Sequence, residues 1–259
     1  MKHLTHLILN FTDTYPAEQE AILRETIPGV AARIDLRAIS GANLYCDEEG
    51  KRELTERLSP YPLLGVHFLD SGNYHYLTRL LTSRLETDYA LLFYDHHTDM
   101  QPASFDLLSC GSWAKECLEA DPHLRKMVCV GPPEETLAQI PDHLAHDPRL
   151  TCISESDFLA DPGLVGEALP ADLPLYLSID KDILRPEDIL TNWDQGSVSL
   201  DYLCEHLATL LPGRELLGVD ICGLIPISDP ACTSLGQSLQ PASDHRLLQV
   251  LSPFIKAEP

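Results

Sequence analysis

The chain has 259 residues, 44% hydrophobic and 22% charged, which suits one large α/β domain over residues 1–259. A formal charge of -22 argues against nucleic acid or an anionic membrane as partner, because both require basic surface. The apolar runs are short and the start lacks a signal-peptide cleavage site, so a cytoplasmic protein is expected.

Strand-like runs alternate with helical ones, the pattern of βα units around a mostly parallel sheet. Residues 6–11 read as the first strand and residues 16–24 as a helix opened by Pro16. Residues 34–39 form a short strand, and residues 48–58 a charged surface helix. Residues 63–69 are a strand or a buried turn. A Gly-containing turn then delivers His75 to the start of a helical run over residues 76–85.

The uninterrupted run Ala90, Leu91, Leu92, Phe93 and Tyr94 is the pattern of a strand buried on both faces. It ends abruptly in Asp95, His96, His97, Thr98 and Asp99. Residues 112–118 look helical, 127–130 form a strand, 134–140 a helix and 150–153 a short strand. Residues 173–179 repeat the central plan, an apolar run followed by Asp180, Lys181 and Asp182. A helix at 202–211, a strand at 216–224 and a closing helix at 244–255 complete the chain.

Carboxylates and imidazoles crowded at a strand exit are costly unless a cation holds them, and ligands of open α/β sheets bind at strand carboxyl ends. In extended chain residues i and i+2 point the same way, so Asp95, His97 and Asp99, and likewise Asp180 and Asp182, can converge. Oxygen and imidazole donors without thiolate suit manganese, iron(II), nickel or zinc, and the donor count suits two ions. The eight cysteines form no CxxC pair and read as reduced core residues, with Cys110 the one to watch because it follows the acidic cluster closely.

The order of His75, the DHHTD segment at 95–99 and the SIDKD segment at 178–182 resembles the ureohydrolase superfamily of arginase, agmatinase and formiminoglutamase. SGNYH at 71–75 matches that family's GGDHS turn degenerately, and GVDICG at 218–223 is similar to its GLDIxE strand. The resemblance implies an arginase-like three-layer α/β/α fold, a mostly parallel sheet of about eight strands and two manganese ions. It implies one ion held by His75, Asp95, Asp99 and Asp180, and another by Asp95, His97, Asp180 and Asp182. It further implies hydrolysis of a non-peptide C–N bond in a small molecule by activated water steadied by Asp99, and a homo-oligomer.

Two positions depart from that pattern. The acid that grips a guanidinium in the family falls at Gly223, and the histidine that assists protonation falls at Ser112 or Trp113. A buried guanidinium without a paired carboxylate is poorly held, so the substrate expected is a small amide or amidine, not arginine or agmatine. The competing reading is a catalytically silent metal-binding or regulatory protein. Asn192, Asp194 and Gln195 sit where family members line the pocket. His96 is expected to point away from the ions, Lys181 to pair with an acid, and Trp113 and Trp193 to pack. His67 is a rival ligand to His75, while His3, His6, His123, His143, His146, His206 and His245 read as structural or surface residues.

Overall fold

The computed structural model describes residues 5–15, 19–27, 29–102, 105 and 107–255. Pro16 and His3 lie outside the described residues. In chain order the strands are β1 (Thr5–Asn10), β2 (Val30–Asp35), β3 (Tyr45–Cys46), β4 (Val66–Phe68) and β5 (Tyr89–Tyr94). There follow β6 (Leu108–Ser109), β7 (Leu124–Val130), β8 (Leu150–Ile153), β9 (Leu175–Asp180) and β10 (Leu216–Cys222). Eight of them form one sheet in the order β2-β1-β4-β10-β9-β5-β7-β8. Every pairing in it is parallel, as the alternating sequence pattern implies.

The central strands are buried along their whole length because helices cover both faces of the sheet. Alternate residues feed opposite cores. Leu92, Tyr94, Leu177, Ile179, Val219 and Ile221 pack on one side with the helices Leu200–Leu210 and Ser234–Leu251. Leu91, Phe93, Tyr176 and Cys222 pack on the other with Trp113, Cys117 and Leu81. That second layer is the one that carries the polar strand tips, and the short antiparallel pair β3–β6 borders it.

Two boundaries differ most from the sequence expectation, while several others shift by one to three residues. The second strand is Val30–Asp35, not 34–39, and pairs with β1 from Thr5↔Val30 to Asn10↔Asp35. Ile34, Leu36 and Ile39 are all buried, but the chain turns after Asp35 (the Ile39 amide donates to the Leu36 carbonyl), so their spacing imitates a strand. The last helix begins ten residues early, at Ser234, with the Thr233 hydroxyl accepting from the Gly236 amide. Pro241 lies inside it, where a proline ordinarily breaks or kinks a helix. Two short helices, Glu155–Ala160 and Gly163–Ala168, connect β8 to β9 and carry no strong apolar periodicity.

Candidate metal centre

Register decides which strand tips meet. Strands β5 and β9 are neighbours with Tyr94 opposite Ile179, so Asp95 emerges beside Asp180. On the far side of β9, Cys222 of β10 lies opposite Asp180. Three adjacent strands therefore end in one row of Asp95, Asp180 and Cys222, all buried.

His75 reaches this row from the turn Gly72–Tyr74 that precedes the helix Leu77–Thr82. Its Nδ1 lies 3.0 Å from Asp95 Oδ2, 3.1 Å from Asp99 Oδ2 and 3.5 Å from Asp180 Oδ2. None of those contacts is aligned as a hydrogen bond, which leaves Nδ1 a buried atom without a partner. The opposite nitrogen, Nε2, is fixed 2.9 Å from Ser178 Oγ, two residues before Asp180 on the same face of β9. His97 Nδ1 lies 2.9 Å from Asp182 Oδ2 and 3.3 Å from Asp95 Oδ1, and its Nε2 lies 3.0 Å from Asp194 Oδ1.

Backbone donors complete the cluster. The His97 amide donates to Asp95 Oδ1 at 2.6 Å, the His96 amide to Asp182 Oδ1 at 2.9 Å, and the Asp182 amide to Asp180 Oδ1 at 3.0 Å. Asp99 sits in left-handed backbone (φ 51°) and accepts from the indole Nε1 of Trp113. Burial raises the Asp180 carboxyl to about 7, with Asp182 and Asp95 adding repulsion, and raises Asp182 to about 6 with Asp95 as the next cause. Burial opposes a charged imidazolium at His97, but the hydrogen bonds it donates to Asp182 and Asp95 outweigh it and push its pKa up.

These residues fit a divalent cation. Crowded carboxylates with raised pKa values and a buried, unpartnered imidazole nitrogen are both relieved by one. Three donor groups are compact enough, with ligand atoms mutually within 4.8 Å: His75 with Asp95 and Asp99, Asp95 with His97 and Asp182, and His75 with Asp180 and Cys222.

A cavity of about 200 Å³ opens onto the cluster. Five of the six sequence-derived ligands line it, namely Asp95, His97, Asp99, Asp180 and Asp182. Gln101, Tyr45, Cys110 and Trp193 form much of the remaining wall. Ser112 is not among the lining residues; its Oγ lies 2.8 Å from the hydroxyl of Ser109, which is. Asn192 donates to Asn73 Oδ1 at 2.9 Å outside the lining, whereas its neighbour Trp193 faces the cavity. Gly223 lies behind Asp180. His67 is buried at 2.8 Å from Asp220 within the sheet, away from the ligand groups. Lys181 points the other way from its neighbours and pairs with Asp244 at 2.7 Å.

Sequence reasoning missed Trp113 as the partner of Asp99, Gln101 as a wall residue, and Cys222 as a neighbour of Asp180. The only sequence signal for Cys222 was its place in GVDICG, where an apolar strand made a core residue the natural reading.

No family model matches the chain. An uncharacterised protein of Thermotoga maritima is 33% identical over 217 residues, covering 83% of this chain and 78% of that protein. Among solved structures, arginase from Bacillus subtilis superposes with a TM-score of 0.67 at 14% identity, covering 96% of this chain and 98% of that one. Proclavaminate amidino hydrolase from Streptomyces clavuligerus gives 0.66 at 13% identity, covering 96% and 92%. Formimidoylglutamase from B. subtilis gives 0.66 at 12%, covering 98% and 89%. The chain therefore belongs to one family with the Thermotoga maritima protein, and it is a member of the ureohydrolase fold.

Proposed function

We propose that this protein is a metal-dependent hydrolase that cleaves a non-peptide C–N bond in a small amide or amidine without a guanidinium group. The observation that carries the reading is the convergence of Asp95, His97, Asp99, Asp180 and Asp182 on one cavity of about 200 Å³, with His75 behind them. Structural neighbours bearing the names arginase, formimidoylglutamase and proclavaminate amidino hydrolase support a C–N hydrolase. A formiminoglutamase of Trypanosoma cruzi in the same fold is described with Mn2+, which supports manganese.

The proposed centre is binuclear, with His75, Asp95, Asp99 and Asp180 on one side and Asp95, His97, Asp180 and Asp182 on the other. Divalent ions held there would lower the pKa of water and polarise the scissile group. Ser178 holds the His75 ring through Nε2, and Asp194 holds His97 through its Nε2, so both rings keep one nitrogen toward the carboxylates. Trp113 fixes Asp99, the carboxylate assigned to steady the attacking water. Ser112 acts through Ser109, and Gln101 offers an amide donor and acceptor at the wall.

Among the described residues lining the cavity there is no lysine or arginine, and its carboxylates all belong to the proposed ligand set. A guanidinium would thus find no acid of its own there, which favours a substrate without that group. Eight free thiols support a reducing, cytoplasmic setting. The test is metal analysis of the purified protein, followed by a panel of small amides and amidines assayed for released ammonia, amine or urea. Turnover of a member of the panel with bound metal supports the reading. Silence across the panel with metal bound favours a metal-binding or regulatory role instead.

A further inference from the structure

We propose that Cys222 is a sulfur ligand of this centre, so that the position shared by His75 and Asp180 selects a thiophilic ion, zinc above manganese. The position formed by Asp95, His97 and Asp182 keeps oxygen and nitrogen donors alone. This inference rests on the reading of the cluster as a metal site and deepens it by making the two positions unequal.

The geometry comes first. Cys222 is paired in register with Asp180, so both side chains leave the sheet on one face at the strand ends. Its Sγ lies 3.0 Å from Asp180 Oδ2. A ring nitrogen of His75, a carboxylate oxygen of Asp180 and the Cys222 sulfur all fall within 4.8 Å of one another. An ion about 2.0–2.3 Å from each donor fits that triangle. All three residues are buried, with relative exposures of 1% for His75, 2% for Asp180 and 0% for Cys222.

The second observation is independent of the cysteine. His75 Nδ1 is buried beside three carboxylates and aligned with none of them as a donor, while Nε2 is held at Ser178. A ring nitrogen kept in that state is oriented as a ligand.

Donor chemistry supplies the choice of ion. Thiolate favours zinc, whereas carboxylate and imidazole alone accommodate manganese. Gly223 is what allows the sulfur to come so close. It turns the chain at φ 90° directly after Cys222, where a Cβ would lie 2.4 Å from Asp180 Oδ1. The glycine that stands in place of a substrate-gripping acid thus brings the end of β10 onto the metal row. Binding would release the thiol proton to solvent as the sulfur–metal bond forms.

Cadmium(II), added to metal-free full-length protein, is the probe. An ultraviolet thiolate-to-cadmium charge-transfer band is expected, lost in Cys222→Ser and retained in Cys110→Ser, which removes the cysteine lining the cavity. Zinc X-ray absorption on the unmodified protein keeps the idea testable if Cys222→Ser fails to fold; a sulfur scatterer at about 2.3 Å is expected. Cadmium bound without the band, a band that survives Cys222→Ser, or zinc without sulfur overturns the ligand assignment and leaves the metal centre standing. Failure to bind any ion overturns both readings.

Discussion

Gly223 and Asp180 are packed so closely that the first carbon of any side chain at 223 would lie 2.4 Å from Asp180 Oδ1. It would also lie 2.7 Å from the Lys181 amide. Restoring an acid at this position is therefore not a route to guanidinium binding. Gly223→Glu is expected to lose at least about 1–3 kcal/mol of stability, since φ is 90° there, and to weaken metal binding through Asp180. Denaturant unfolding and metal analysis measure both; a stable variant that hydrolyses arginine would refute the steric account.

Asp95 and Asp180 each touch both halves of the cluster, whereas His96 contributes its backbone amide and turns its ring toward Asp194. Asp95→Ala and Asp180→Ala are expected to abolish binding of both ions. His96→Ala should change affinity by less than about tenfold. Equal losses in all three variants, measured by isothermal titration with manganese, would show the ligand assignment to be wrong.

Trp113 contacts the centre twice, donating to Asp99 and packing its ring 4.7 Å from that of His75. Trp113→Phe keeps the packing and removes the donor. Metal affinity should fall by about 10–100-fold with the fold intact by circular dichroism. Unchanged affinity would demote the indole to packing.

Lys181 and Asp244 form a buried pair at 2.7 Å, with Asp244 also accepting from Gln19 at 2.8 Å. Breaking it by Lys181→Met strands a carboxylate in the core and is expected to cost about 3–5 kcal/mol. The double variant Lys181→Met, Asp244→Leu should recover most of that loss in urea unfolding. No recovery would mean that the damage lies in the neighbouring ligands.

His206 accepts a hydrogen bond from the Tyr94 hydroxyl at 2.7 Å, and burial lowers its pKa from 6.5 to about 4. The unfolded chain binds this proton more readily than the folded one. The neutral ring's contribution, roughly 3 kcal/mol, is thus complete above about pH 6.5 and lost as pH falls toward 4. Stability curves of His206→Gln should be flatter over that window than those of the parent. Parallel curves would exclude His206 as the source.

The strands were largely legible because a parallel sheet covered on both sides demands continuous apolar runs, and 89–94 carries one plainly. The weak places were an edge strand with Val30 exposed and a helix with proline inside it. At both, a local pattern competed with pairing or packing set elsewhere. Ser112, Asn192 and Gly223 were singled out by position in a motif, yet their side chains or backbone act beside the cavity wall and not on its surface. Spacing along the chain does not report which neighbour a loop will turn toward.

The sequence alone determined the donor types and their clustering directly after two buried apolar runs. Their convergence comes from the turns that follow each strand, with Asp99 at φ 51° and a 3-10 turn over Lys181–Ile183, and not from the i and i+2 alternation of extended chain. Only the tertiary structure decided which tips stand side by side. Residues 95, 180 and 222 are joined by long crossovers, and the register of β5, β9 and β10 is settled by packing of whole layers. That packing placed Cys222 against Asp180, Trp113 beneath Asp99 and Gly223 where no side chain fits.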